Sequence, residues 1–238
     1  MRLDIHNSDV PVLCRACEAR HKGICDALEP GQLMRLGRKT SRRKVEPGAE
    51  LVAAGVPTES YANILSGVVK LTKLMHDGRQ QIVGLQFAPD FLGRPFSESS
   101  GVSAEAVTTV NLCVIPRATL EEMVRESPAL EHRLHRQTLR ELDEARDWMM
   151  TLGQKSASEK VASFLLLLSS HVDPLTDGYS EVFEIPLKRA DIADFLGLTI
   201  ETVSRHLTRL RKAGIVTIEA SRLVTINDLD ALEAAAGQ

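Results

Sequence analysis

The sequence predicts an α+β chain with three successive parts: an antiparallel β segment, one long helix, and a helical C-terminal third that ends in a hairpin. Three observations predict it. Turn signals recur between short Val/Ile/Leu/Thr stretches from residue 41 to 115. No Gly or Pro interrupts the chain from Ala129 to Leu152. Residues 189–207 read R-A-D-I-A-D-F-L-G-L-T-I-E-T-V-S-R-H-L, in which a small residue, a glycine and a branched residue follow at fixed spacing.

The β segment is punctuated by Pro47-Gly48, Gly55, Ser66-Gly67, Asp77-Gly78 and Pro89-Asp90. Turns at this spacing predict a small antiparallel barrel or sandwich. The clearest hairpin joins residues 68–75 to 80–87 through Asp77-Gly78, because glycine tolerates the positive φ of a tight turn.

The long helix starts at Ser127, a natural N-cap, with Pro128 suited to the first turn. Thr138, Leu142, Ala145, Met149 and Leu152 recur at spacings of 4, 3, 4 and 3. That is a coiled-coil-like seam, either packed on its own domain or pairing two chains in a parallel dimer. A seam so short makes pairing marginal and therefore switchable. Gly153 marks a predicted hinge, after which helices are expected over 158–171, 189–196 and 200–213, with a hairpin over 216–226.

Within 189–207, Ala193 is small enough for two helices to cross closely, Gly197 takes the turn, and Val203 packs between the helices. This is the pattern of a helix-turn-helix, with Thr199 capping the second helix. Glu201, Ser204 and Arg205 lie at the end that meets base edges: Arg205 can bond guanine in bidentate fashion, Glu201 can accept from an exocyclic amine, and Ser204 adapts. Thr199, Thr202, Arg209, Arg211, Lys212 and Arg222 suit phosphate contacts, which supply affinity without sequence information.

Overall charge argues the other way. The 238 residues carry a net −3, and residues 153–238 alone hold nine Lys/Arg against twelve Asp/Glu. The objection comes from averaging, since no acid falls between Ser204 and Val216. Aromatic residues make up only 4% of the chain, which disfavours a stacking platform for single strands. No Walker-type or dinucleotide glycine pattern and no catalytic set is present. Residues 1–10 have no apolar leader core, and the longest apolar run, 164–168, is far below the roughly 20 residues that span a bilayer. The expectation is a cytoplasmic protein that does not enter membranes.

In that compartment thiols stay reduced, so four cysteines suggest ligands or redox sensors before disulfides. Cys14, Cys17 and Cys25 stand at gaps of two and seven residues, and Cys113 is far downstream. Four thiolates can hold a 4Fe–4S cluster or a zinc ion. Zinc sites more often use two CxxC pairs, which leans the spacing toward a cluster; unligated or disulfide-forming thiols remain a third reading. His21 is a weaker substitute ligand. Arg15, Arg20, His21 and Lys22 give local positive charge.

These residues carry a resemblance to the Crp/Fnr family, and within it to Fnr-type regulators of anaerobic metabolism. Pro47-Gly48, the Leu65-Ser66-Gly67-Val68-Val69-Lys70 stretch and Asp77-Gly78 resemble the family's β-roll. Cys113 precedes Val114-Ile115-Pro116 as the solitary cluster ligand of Fnr proteins does, and residues 200–205 are similar to the Fnr recognition helix. The resemblance implies residues 1–40 as a cluster-binding segment, 41–117 as a β-roll sensor domain, 118–152 as the dimerisation helix region and 153–238 as a winged helix-turn-helix. It further implies an oxygen-labile 4Fe–4S cluster supporting a homodimer on double-stranded DNA of the TTGAT…ATCAA kind, with RNA polymerase touched by residues 75–79. The seven-residue gap resembles the FnrL/FnrN branch. Ala145 stands where the enteric type has an acidic residue, which implies a tighter dimer. Residues 96–109 lack the Arg-Ser pattern of the cyclic-nucleotide pocket, so no such ligand is expected.

Overall fold

The structure, a computed structural model, describes residues 10–15, 17–172 and 178–237. The leaderless N-terminus expected from the sequence falls mostly outside them. The chain forms two compact units, the first ending at Glu141 and the second starting at Leu142, with Gly78–Ile82 grouped with the second.

The first unit opens on short helical turns joined by loop residues: α1 (Val12–Arg15), α2 (Glu18–His21), a 3-10 turn (Ile24–Ala27) and α3 (Pro30–Gly37). Strands follow: β1 (Ser41–Val45), β2 (Glu50–Val52), β3 (Ser60–Ser66), β4 (Val68–Leu74), β5 (Gln80–Phe87), β6 (Phe91–Leu92), β7 (Ser103–Ala106) and β8 (Val110–Pro116). They form two four-stranded sheets, ordered β1-β8-β3-β6 and β2-β7-β4-β5. The antiparallel β segment and the hairpin through Asp77-Gly78 are as the turn signals predict.

Strand alternation divides each strand between two environments. Val45, Ala62, Ile64, Leu112 and Val110 meet Val69, Ala104 and Ala106 in an apolar core between the sheets. On the other face of β3 and β8, Tyr61 and Ile115 join a second core with Ile24, Cys25, Leu28, Leu33 and Leu36. Its lid is α4 (Arg117–Glu126) through Leu120, Met123 and Val124, and the start of α5 (Pro128–Gln154) through Leu130 and Leu134. Ser127 caps α5 through its Oγ, which accepts from Leu130 N–H at 3.4 Å.

Gly67, between β3 and β4, sits at φ +93°, and a Cβ there would lie 2.4 Å from Thr109 O. Gly67→Ala is expected to cost roughly 2–5 kcal/mol. That sums about 1–2 for the backbone and about 1–3 for the overlap with a strand that cannot yield. A circular-dichroism melt checks it, and an unchanged midpoint would refute it.

In the second unit α5 runs through Gly153, so the turn comes two residues later than predicted. The chain bends at Lys155–Ser156, where a reciprocal cap starts α6 (Ala157–Ser170): Ser156 Oγ accepts from Glu159 N–H, and the Glu159 carboxylate accepts from Ser156 N–H at 2.7 Å. The apolar run is the buried face of α6, with Phe164 and Leu165 fully enclosed, each contributing about 1.5–3 kcal/mol. No helix among the described residues is long and apolar enough to cross a membrane. Then come β9 (Val182–Glu184), α7 (Arg189–Leu196), α8 (Ile200–Lys212), β10 (Val216–Glu219), β11 (Leu223–Ile226) and α9 (Leu229–Ala235), with a small sheet ordered β10-β11-β9.

Candidate DNA-reading surface and cysteine site

The helix-turn-helix forms as its residues dictate. Gly197 ends α7 in the left-handed region at φ 61°, and Leu198 N–H bonds back to Ala193 O at 2.9 Å. Thr199 Oγ1 caps α8 by accepting from Thr202 N–H at 3.2 Å. Val203, Leu207 and Leu210 are buried, which turns Glu201, Ser204 and Arg205 outward. Hydrogen bonds from its own backbone N–H and from Thr199 hold the Glu201 carboxylate below the usual range. It therefore stays an acceptor at neutral pH.

Arg209, Arg211, Lys212 and Arg222 are also exposed. Thr199 is committed locally, its single hydroxyl proton shared between Thr202 Oγ1 at 3.1 Å and the Glu201 carboxylate, whereas Thr202 keeps its own hydroxyl proton to donate. The hairpin tip places Ala220 at φ 45° and Ser221 at φ 63°. No glycine marked that turn, so its twist was invisible in the sequence.

Arg189, at the first residue of α7, was not singled out by the sequence because it lies outside the motif's apolar spacing. Its guanidinium donates to Ser221 O at 3.0 Å. It lines a cleft of about 170 Å³ with Ser204, Leu207, Thr208, Arg211, Ile218 and Ser221. Two guanidiniums line it, although the Thr208 hydroxyl is spent on Ser204 O at 2.9 Å.

His206 is the other group the sequence left unmarked. It is buried on the inner side of α8, with Nδ1 lacking a hydrogen-bond partner among the described residues. Burial, then the charges of Arg209 and Arg205, lower its pKa. The unfolded chain therefore takes up the proton first as pH falls. Stability of this unit is expected to be flat above about pH 7.5. It should then fall as pH drops through the ordinary histidine value of about 6.5, by at most about 1.4 kcal/mol per pH unit. His206→Gln should flatten that slope in urea titrations at pH 5.5 and 7.5; an unchanged slope would acquit His206.

Two of the cysteines, Cys25 and Cys14, reach the second core of the first unit. Cys25 is buried in the 3-10 turn, and Cys14 packs at the edge of the same core. Antiparallel register sets Cys113 opposite both Arg42 on β1 and Asn63 on β3. Asn63 Nδ2 in turn donates to Cys25 Sγ at 3.5 Å, so one buried amide links the loop cysteine to the solitary one's strand.

Burial dominates the acidity of three of the cysteines. Burial and then the charges of Cys17 and Cys113 push the Cys14 thiol up to about 11. Burial raises Cys25 further, followed by Cys113, Cys17 and Cys14. Cys113 is raised by burial, with Cys17 adding and Thr40 and Arg42 opposing. The positive charge expected beside the cysteines comes from Arg20, and also from Arg42, which only the β1–β8 pairing brings near. All four cysteines are free thiols. Among the described residues, no three His, Cys, Asp or Glu side chains form a ready-made metal-ion site.

The predicted seam on α5 is solvent-exposed within the chain: Thr138, Leu142, Ala145 and Met149 are exposed and Leu152 half-buried. Leu139 and Met150 widen the apolar strip beyond the predicted residues, at 58% and 56% exposure.

Residues 42–127 match the Cyclic nucleotide-binding domain and residues 159–235 the Crp-like helix-turn-helix domain. A probable transcriptional activator from Rhizobium leguminosarum bv. viciae is 54% identical, over 98% of this chain and 96% of that protein. The transcriptional activator protein FnrL of Cereibacter sphaeroides is 35% identical, over 96% and 95%. The structure of FixK2 from Bradyrhizobium japonicum superposes with a TM-score of 0.76 at 30% identity, covering 82% of this chain and 96% of that one. With this fold, a capped recognition helix and full-length relatives above 30% identity, the chain belongs to the Crp/Fnr family of DNA-binding transcriptional activators, which are not enzymes.

Proposed function

We propose that the chain is an oxygen-responsive transcription regulator of anaerobic metabolism, acting in the cytoplasm. Cys14, Cys17, Cys25 and Cys113 would hold a 4Fe–4S cluster, which when bound supplies an oxygen-labile centre. The observation that carries this is geometric: Cys14 and Cys25 pack in one core, and the buried Asn63 amide, paired in register with Cys113, donates to Cys25 Sγ. The donor chemistry fits the group: four sulfurs, an amide N–H aimed at one of them, and two arginines offsetting negative charge. The Fnr-type resemblance and the FnrL relative support the same reading.

The chain's own residues do the rest. Thr138, Leu142, Ala145, Met149 and Leu152 pair two copies along α5. Glu201, Ser204 and Arg205 then read each half of a TTGAT…ATCAA-type palindrome. Thr202, Arg209, Arg211, Lys212, Arg222 and Arg189 hold the backbone, while Thr199, expected from the sequence to join them, spends its hydroxyl on the cap of α8; RNA polymerase is the further partner. No cyclic nucleotide takes part: residues 96–109 hold no Lys or Arg for a cyclic phosphate. Ala145 puts no charge on the seam, so oxygen acts partly by means other than full dissociation.

Anaerobic purification with iron, sulfide and absorption measurements tests the cofactor. A colourless protein without iron or sulfide would overturn it, and zinc without sulfide would replace it with a zinc-stabilised regulator of the same fold. Leu142→Glu is expected to abolish the dimer, since two carboxylates would face each other across the two-fold axis. Sedimentation showing an unchanged dimer would refute the seam.

A further inference from the structure

Arg133, on the second turn of α5, reaches into the loop between Cys17 and Cys25. Its Nε donates to Gly23 O at 3.1 Å, and its Nη2 donates to Lys22 O. Nη1 lies 3.9 Å from the Asp26 carboxylate. The guanidinium is mostly enclosed, with its side chain 17% exposed. On either side of it along the helix, Leu130 and Leu134 pack into the core that holds Cys25, Ile24 and Cys14.

The loop is shaped to receive it. A Cβ at Gly23 would lie 2.6 Å from Ala19 O, so the chain there is wound too tightly for any side chain. The Gly23 and Lys22 carbonyls point at α5 and accept from one planar fork. Arginine suits this because it offers several donors in one rigid plane, whereas lysine offers a point charge. These carbonyls lie 110 and 111 residues away in sequence, so no local interaction replaces the bonds.

We infer that Arg133 is a positioning residue that straps the Cys17–Cys25 loop to α5, so that the order of the loop is felt by the pairing seam on the same helix. Thr138 opens that seam five residues on, about 7.5 Å along the axis at about 1.5 Å per residue. When the loop is held, the start of α5 is clamped by three polar contacts and two leucines. When the loop loosens, the polar contacts go and only the leucines remain. The inference rests on the four cysteines being the ligand set, but the strap exists without a ligand.

The test uses the full chain and the variants Arg133→Gln, Arg133→Lys and Leu134→Ala. In metal-free protein, iodoacetamide labelling of Cys25 is followed by mass spectrometry. Arg133→Gln should raise the labelling rate at least tenfold, with Arg133→Lys intermediate. In anaerobically reconstituted protein, Arg133→Gln should keep iron and sulfide at wild-type levels, yet its dimer fraction by sedimentation should rise less than half as far on loading. Leu134→Ala loosens the same turn without touching the fork, and should lower the melting midpoint while retaining the dimer response. Wild-type labelling together with a wild-type dimer response in Arg133→Gln would overturn the strap. Loss of the response in Leu134→Ala to the same degree would reduce Arg133 to general packing and overturn it too. If wild-type protein takes up no iron or sulfide, the cofactor reading fails, and the labelling arm alone decides whether Arg133 holds the loop.

Discussion

Arg205→Ala is expected to weaken binding to a TTGAT…ATCAA duplex by roughly 30-fold to 2 × 10⁴-fold. Arg205 is exposed on the outer side of α8, opposite Val203, Leu207 and Leu210. A bidentate contact to a guanine is worth about 1–3 kcal/mol of discrimination. A two-fold complex loses it in both half-sites, about 2–6 kcal/mol in all, at about 1.4 kcal/mol per decade. Glu201→Ala should act in the same direction at the base it accepts from. Arg211→Ala makes the contrast. It should weaken matched and scrambled duplexes alike and shallow the log–log salt slope by about 0.9 per protomer, because its proposed role is to neutralise a phosphate without reading a base. Anaerobic fluorescence anisotropy on both duplexes at several salt concentrations separates the two behaviours. An equal loss on the scrambled duplex would move Arg205 from base reader to backbone contact.

Contacts of this kind explain what the sequence could and could not disclose. Ala193, Gly197, Thr199 and Val203 act through local geometry, so their spacing alone predicted the turn, the cap and the outward face. Thr138, Leu142, Ala145 and Met149 are exposed on α5, as expected of residues 3 and 4 apart on one helix face. Arg133, Asn63 and Arg42 carried no such signal. Each gains its meaning from a partner far away in sequence: Gly23, Cys25 and Cys113. The short helices around Cys14, Cys17 and Cys25 were missed because four-residue turns are too short to show periodicity. Gly153 suggests a hinge by propensity, but one glycine costs a helix only about 1 kcal/mol, and the reciprocal cap at Ser156 marks the break instead. The acidic average of the C-terminal unit hid the basic run on α8 for a related reason: binding depends on where charges stand, not on their sum.

Cys25→Ser is expected to abolish cofactor retention while leaving the fold largely intact. Cys25 is the most enclosed of the four cysteines, 8% exposed, with Ile24 and Leu28 beside it in the core. Serine is close in size, and its oxygen can still accept from Asn63 Nδ2, so the amide keeps its partner. Burying a hydroxyl in place of a thiol costs about 1–3 kcal/mol, which for a domain of this size shifts the melting midpoint by roughly 2–12 °C. The ligand, however, is lost outright, because a cluster is held by thiolates and a serine hydroxyl stays protonated at neutral pH. After anaerobic reconstitution, iron and sulfide should fall below about a tenth of the wild-type content, and the dimer and its DNA binding should fall with them. Asn63→Ala supplies the converse case: all four thiols remain, Cys25 Sγ loses its donor, and cofactor retention should weaken without vanishing. Full iron and sulfide content in Cys25→Ser would remove Cys25 from the donor set. A collapse of the melt in both variants would mean that the Cys25–Asn63 pair serves the core and not a ligand.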